Sequence, residues 1–497
     1  MTRSTAALLL LLFSLPEPAG AIAEPLWRIV RSPDFIVLGD AGEQPLQDVA
    51  MRLEQFRAAL GRVLPGIRLA TPVPTVFIVF GSSQSSEPFG PRRDGKPVQA
   101  AGFFQAGPDV NYITLTLGTG SDGLRVAFHE YSHLILHNWM AAVPAWLDEG
   151  LAEYYSTFQL ASGGTSAAIG LAIPHHAGLL RERFMPLRDL LAIDRRSSVY
   201  YEGDQRTLFY AQSWALTHFL LMETPRGDAR IARYLALVAG GESIDRAVQQ
   251  AFQMPLSALE RLLRDYVNRS AYRSAEYTFR SRVEAGPGSV RALSAAETEG
   301  WLGDLLLHMN RPDEAGPRLE RALELDPDLA RAHLSVGMLN LGRRRPDEAW
   351  PHLRRAVALD PANFFAQYSY ALALLSFRTG ETPLTIDVEP MSTARAALTA
   401  AITLSPESTD ALALLGYASL RDDAHLDEGR AALTRAVKLA PGRPGYALLL
   451  AEICIRQKDY AKARSLLTIL AAVSDERGTN ARARSMLEML DALQRGR

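Results

Sequence analysis

A single cysteine, Cys454, stands in a chain of 497 residues. That scarcity excludes intrachain disulfides, a cysteine-ligated structural zinc and a thioredoxin-like dithiol together, so stability must come from packing. Its neighbours Leu450, Ala451 and Ile455 are apolar at helical spacing, and Cys454 therefore reads as a small buried hydrophobe rather than a reactive thiol. An excess of one charge is missing too. The 53 Lys and Arg against 55 Asp and Glu leave a net charge of −2, which gives no electrostatic footprint for nucleic acid or an anionic membrane. After the first residues, no apolar run reaches the roughly eighteen residues a membrane-spanning helix needs, so no membrane span is expected in the mature protein.

The first residues are different in kind. A positive start ending at Arg3, an apolar stretch from Ala6 to Leu15, the helix-breaking Pro16 and then Ala21-Ile22-Ala23 have the layout of a secretory signal peptide over 1–23, cleaved after Ala23. The expected location is secreted or periplasmic. No cysteine follows the cleavage position, so a lipid anchor has no site there.

A chain this long exceeds what one core usually organises, and two or three domains are expected. Over 24–120 the pattern mixes short β-rich runs with one amphipathic helix: Phe35 to Leu38, then Leu53, Phe56, Leu60 and Val63 on one stripe, then Thr75 to Phe80. Two further runs, Ala101 to Gln105 and Tyr112 to Leu117, are joined by Ala-Gly-Pro-Asp and read as a hairpin whose edge could pair with an extended peptide. The polar segment from Gly81 to Pro97 reads as a loop that could flank a cleft. Over 121–285 the chain looks almost wholly helical, with helices expected from Asp122 to Leu136, Pro144 to Leu160, Leu187 to Ile193, Arg206 to Leu221, Ile231 to Val238 and Leu256 to Val267, closed by the break at Gly286-Pro287-Gly288.

The stretch 290–475 repeats itself. Small residues Gly303, Gly337, Ala371, Gly416 and Ala451 stand 34, 34, 45 and 35 residues apart, and Pro327, Pro361, Pro406 and Pro441 keep the same steps. Ala315, Ala349, Ala394 and Ala463, with Ala322, Ala356, Ala401 and Ala436, recur where two antiparallel helices must approach closely. The long step is accounted for by an insertion of about eleven residues from Phe377 to Pro390 in the turn of the third unit, since such turns tolerate insertions. The pattern resembles a tetratricopeptide (TPR) array of about five units, with 476–497 as a polar capping helix. Such an array implies a protein partner.

Within the helical part, His129-Glu130-Tyr131-Ser132-His133 puts two imidazoles four residues apart on one helix face, where they can share one zinc ion, with Glu130 beside the first as a candidate general base. A catalytic zinc needs a third protein ligand. Downstream, Trp146-Leu147-Asp148-Glu149-Gly150-Leu151-Ala152-Glu153-Tyr154 offers two carboxylates four apart, one to ligate and one to accept the free imidazole N–H of a ligand histidine. His137 continues the spacing, but by then the helix has turned away, and it reads as a solvated or capping histidine. His175 and His176, in a Pro-flanked loop, read as either a substrate rim or a plain exposed pair.

These residues resemble the gluzincin zinc metallopeptidases, including thermolysin and the aminopeptidase N group, and most closely the bacterial peptidase MA-like proteins. The resemblance covers roughly Pro33 to Arg269, including Met185 to Leu191 and Phe209 to Trp214. It implies an α+β zincin-like metallopeptidase domain, a small mixed sheet plus a helical lobe, followed by the all-α TPR solenoid. It also implies one catalytic zinc held by His129, His133 and Glu149, Glu130 as general base, Glu153 supporting a ligand histidine, and a peptide or protein as substrate. Tyr210 lies about as far past the third ligand as the phenol that stabilises the oxyanion in the aminopeptidase group, although it could equally pack between helices, or Tyr200 or Tyr201 could donate instead. Only fifteen residues separate His133 from Glu149, fewer than in thermolysin or the aminopeptidases, so their substrate subsites do not transfer. Two other readings stay open: a TPR scaffold whose peptidase-like lobe has lost turnover, and a hydrolase of a different acyl or amide bond.

Overall fold

The computed structural model describes residues 26–64, 66, 69, 71, 73–93, 95–97, 102–117, 122–139, 143–194, 197, 203–286, 288–377, 391–421, 423–440, 443–472 and 478–495. The expected signal peptide and most of the expected insertion at 377–390 lie outside them.

The first part of the chain forms β1 (Arg28–Arg31), β2 (Phe35–Gly39), α1 (Glu43–Val63), β3 (Thr75–Phe80), the one-turn α2 (Ser83–Ser86), the short β4 (Arg92–Arg93) and β5 (Lys96–Pro97), β6 (Gly102–Gln105) and β7 (Asn111–Thr116). Their main sheet has the order β11-β1-β2-β3-β7-β6, where β11 (Ser289–Ala292) arrives from far down the chain. β2, β3 and β7 run parallel, while β1 and β6 are antiparallel to their neighbours. The expected hairpin is β6–β7, with β6 on the sheet edge.

Both faces of this sheet are covered, which is why β3 is buried throughout and apolar from Val76 to Phe80 rather than alternating. Successive side chains point to opposite faces. Phe77 and Val79 join Val37, Ile113 and Leu115 in packing on α1, through Leu46, Leu53 and Phe56, and on α3 (Asp122–Trp139), through Phe128 and Tyr131. Val76, Ile78 and Phe80 join Trp27, Ile29 and Tyr112 on the opposite face, where they meet Trp301, Leu305 and Leu319 of the first repeat.

Beyond α3 come α4 (Ala145–Ser156), β8 (Gln159–Leu160), β9 (Ser166–Ile169), α5 (Pro174–Glu182), α6 (Leu187–Ala192), α7 (Gly203–Met222), α8 (Gly227–Ala239), α9 (Ile244–Phe252), α10 (Leu256–Val267) and β10 (Ala275–Thr278). The helices share a core around Trp146, Phe209, Trp214 and Tyr266. Four expectations are corrected here. The segment is not almost wholly helical, because β8, β9 and β10 pair into a second sheet. His175 and His176 lie in helix α5, not in a loop. The break at 286–288 does not end the first unit, because β11 follows it and pairs with β1, Arg28 opposite Ala292. The segment 81–97 is not plain loop, because it carries α2, a 3₁₀ turn over Glu87–Phe89, β4 and β5, and it lies against the first repeat: Phe89 stacks on Phe80 beneath Arg318, and Arg92 pairs with Glu314 at 3.1 Å.

The repeats are helix pairs: α11 (Ala295–His308) with α12 (Pro312–Leu325), α13 (Ala330–Gly342) with α14 (Pro346–Leu359), α15 (Phe364–Phe377) with α16 (Met391–Leu404), α17 (Thr409–Ser419) with α18 (Leu426–Leu439), and α19 (Pro444–Arg456) with α20 (Tyr460–Ala472). α21 (Thr479–Arg495) closes the stack on Ala483 and Leu490. Arg482, Arg484 and Glu488 are exposed on it, together with Met489 and Leu493. The repeated small residues have one physical cause. A Cβ on Gly337 would sit 2.5 Å from Leu353 Cγ, and one on Gly416 would sit 2.3 Å from Leu433 Cγ, the same contact in two repeats. Cys454 is fully buried in this core, and burial pushes its thiol up.

A buried polar cluster joins the first part to the array. Tyr112 donates to Asp304 at 2.5 Å, Ser335 to its other oxygen at 2.6 Å and Arg331 at 3.1 Å, while His308 meets Asp109 at 2.6 Å. Burial alone would lower His308; Asp304 and Asp109 outweigh it and hold the imidazole up at about 9.

Gly337→Val should lower folding stability by about 1–3 kcal/mol through overpacking, and pairing it with Leu353→Ala should give a double variant less destabilised than the sum of the two. Thermal unfolding of the four proteins checks this; strict additivity would mean the contact does not set the spacing.

Candidate metal centre

His129 and His133 lie one turn apart on α3, and α4 brings Glu149 up to them. Gly150 allows that approach: a Cβ there would sit 2.5 Å from Ser213 O and 2.0 Å from Thr217 Oγ1, so α4 lies directly on α7. The two imidazole Nε2 atoms are 3.1 Å apart, and Glu149 Oε2 is 3.3 Å from one and 3.4 Å from the other. Three donors about 2.0–2.1 Å from one tetrahedral zinc lie about 3.3 Å from one another. The donor set and its spacing therefore fit one zinc ion.

The remaining ring nitrogens are held as well. His129 Nδ1 lies 3.5 Å from Glu153 Oε1, in the supporting position expected of Glu153. Glu153 Oε2 accepts from Arg125 at 2.8 Å and lies 3.6 Å from His176 Nε2 on α5. His133 Nδ1 meets Asp148 Oδ1 at 3.0 Å, and His137 Nε2 meets Asp148 Oδ2 at 2.9 Å. His137 stands in the last turn of α3 with its side chain 38% exposed, as expected of a solvated histidine, and it also meets Asp148. The sequence reading gave no role to Asp148 or Arg125, and it read His176 as a rim or exposed residue, whereas His176 is buried beside Glu153. The available signals were Asp148 beside Glu149 and Arg125 one turn before His129.

Glu130 is half-buried, and burial raises its carboxyl above the ordinary range against the pull of His129 and His133. Tyr210, on α7, stacks on His129 with ring centroids 6.0 Å apart and planes 14° apart, and the Arg206 guanidinium lies 5.2 Å from the Tyr210 ring centroid. Burial, with Glu149 adding to it, pushes the phenol well above its usual value, so it stays protonated at neutral pH. Tyr200 and Tyr201 lie outside the described residues. His175 packs on His176, which is buried against Trp214.

The charges inside the site balance. Burial would raise Glu149, but His133 and His129 hold it well below the carboxylate range. Burial likewise opposes ionisation of Glu153, and His176, His129 and Arg125 bring it to about 2. Asp148 is held far below its usual value by His133 and His137 against burial. Burial would lower His129 and His133, yet Glu149 and its neighbours raise both.

Residues 302–364 and 419–477 match the family model described as a tetratricopeptide repeat, so these segments are TPR repeats. Residues 126–236 match a model described as a protein of unknown function (DUF1570), a segment that contains His129, His133, Glu149 and Tyr210. No curated protein matches the chain. Among solved structures, the chain is similar to YrrB, a TPR protein with an unusual peptide-binding site, at 18% identity over 38% of this chain and 92% of that one, with a TM-score of 0.34. It is also similar to PilF of Pseudomonas aeruginosa, at 22% identity over 39% and 91% with a TM-score of 0.30. A third is TTC0263, a thermophilic TPR protein of Thermus thermophilus, at 20% identity over 39% and 99%, also at 0.30.

The raised imidazoles fix a pH dependence. Without metal, His129 and His133 contribute stability that is complete below their unfolded value near 6.5 and is lost as pH rises through their higher folded values. Zinc needs both rings deprotonated, so protons compete with it on the acid side. The rise in Tm on adding zinc should accordingly be larger at pH 8 than at pH 6. Differential scanning calorimetry at the two pH values checks this, and an equal or inverted increment would overturn it.

Proposed function

We propose that the chain is an exported zinc-dependent metallopeptidase of the gluzincin type, with a zincin-like first part and TPR repeats that engage a protein partner or deliver a protein substrate. The observation that carries this reading is the convergence of His129, His133 and Glu149 within one coordination radius, with Glu130 and Tyr210 beside them. Zinc, when bound, supplies a Lewis acid that polarises a carbonyl and makes water more acidic.

The chain's own residues do the rest. Glu130, whose carboxyl is raised by burial, is suited to take a proton from the attacking water and pass it to the leaving amine. The Tyr210 phenol keeps its proton and can donate a hydrogen bond to the oxygen on which negative charge develops. Asp148, at hydrogen-bond distance from His133 Nδ1, and Glu153, 3.5 Å from His129 Nδ1, are placed to hold the two rings in one tautomer and orientation. Among the described residues the edge strand β6 pairs with β7 alone, and its other side could take an extended peptide.

A second reading, a TPR adaptor whose peptidase-like part no longer turns over substrate, is favoured by the repeat matches alone. Glu130→Gln separates the two. The peptidase reading expects one equivalent of zinc in wild type and variant alike, and a loss of roughly 10²–10⁴ in turnover of a quenched fluorescent peptide library; a zinc-loaded wild type that cleaves nothing favours the adaptor. Tyr210→Phe should lower kcat by about 10²–10³ with little change in KM or zinc content. Unchanged kcat would leave Tyr210 a packing residue.

A further inference from the structure

Behind α3, on the side away from the paired imidazoles, lies a cavity of about 430 Å³ between α1, the end of α4 and the β8–β9 hairpin. Its apolar part is made by Phe128, Phe158, Leu160 and Met51, with Phe128 and Phe158 themselves buried in ring contact with Phe56. Arg52 and Arg282 also line it and are exposed, and among the described residues no carboxylate lines it. Guanidinium groups on a protein surface usually find carboxylates. Here the neighbouring arginines of α1 are engaged elsewhere: Arg57 pairs with Asp34, and Arg62 donates to Ser281 O and Arg282 O.

The arginine positions are built rather than incidental. Arg62 grips the backbone on which Arg282 stands, at 2.6 Å and 3.3 Å, and Val283, fully buried, donates its N–H to Gly164 O at 2.7 Å. The stem of Arg282 crosses Gly164, where a Cβ would lie 2.8 Å from Arg282 Cγ. Arg52 projects from the middle of α1, whose inner face is buried through Leu46, Leu53 and Phe56. Two arginines brought from different elements to the lining of a cavity with an aromatic floor match a ligand with an oxyanion at one end and an apolar body at the other.

We propose that this cavity binds a small amphiphilic anion, an oxyanion head joined to an aliphatic or aromatic body, with Arg52 and Arg282 on the head and Phe128, Phe158, Leu160 and Met51 around the body. The proposal does not depend on zinc or on hydrolysis. The head is a carboxylate or a phosphate monoester, and both meet the arginine fork in the same way.

Isothermal titration of the full chain with octanoate, octyl phosphate, 1-octanol and acetate tests it. At least one of the two amphiphilic anions should bind, at least tenfold more tightly than octanol or acetate, and whichever anion binds better identifies the head. Arg52→Gln combined with Arg282→Gln should weaken that binding at least tenfold, with Tm and zinc content unchanged because both side chains are exposed. The proposal is overturned if neither anion binds, if octanol binds as well as the anions, or if the double variant binds as wild type. The comparison of octanol with the anions on wild-type protein decides the matter even if the double variant folds poorly.

Discussion

The structure turns on one carboxylate, Glu149, placed against two imidazoles with almost no exposure to water. A buried charge is tolerated only when opposite charge and hydrogen bonds surround it, and removing one partner leaves the other stranded at a cost of about 3–5 kcal/mol. The surrounding residues follow from that requirement. Glu153 gathers Arg125, His129 and His176, and Asp148 gathers His133 and His137. Three helices thus contribute to one balanced cluster. The packing of α4 on α7 at Gly150 is the geometric condition for that cluster, because without the close approach the acids of α4 would sit farther from α3.

Some of this was legible in the residues and some was not, for identifiable reasons. Helical spacing carries its own geometry, so a pair of histidines four apart must share a face, and the repeat was visible because Gly337 and Gly416 meet the same kind of leucine in the second and fourth units. Spacing does not say which of two neighbouring acids faces which ring. Asp148 and Glu149 are adjacent in sequence yet serve different nitrogens of His133, a division set by how α4 is rolled against α3. The strands β8, β9 and β10 are two to four residues long, too short to show alternation, and β10 joins them from over a hundred residues away. The helix of His175 and His176 was hidden by Pro174, which begins it rather than breaking it.

The two parts of the chain are less separate than their sequences. β3 divides its side chains between two layers, Phe77 and Val79 toward the helices of the metal centre and Val76, Ile78 and Phe80 toward the first repeat. Asp304, on the first repeat helix, accepts from Tyr112 of the sheet and from Ser335 and Arg331 of the next repeat, so a single carboxylate bridges sheet, first repeat and second. The array is therefore joined through a packed and hydrogen-bonded face rather than a linker, and its direction relative to the candidate metal centre is set by that face.

The strand β11 gives this arrangement a practical meaning. It is the last strand of the sheet in chain order, it leads directly into the first repeat helix, and it covers the outer side of β1. Severing the chain at the apparent composition break would strip β1 of its neighbour, and would also uncover Trp27, Ile29, Val76 and Tyr112. A bare strand bordering an oily surface invites pairing between molecules. Fragments designed around the helical motif alone should for that reason carry the first two repeats with them.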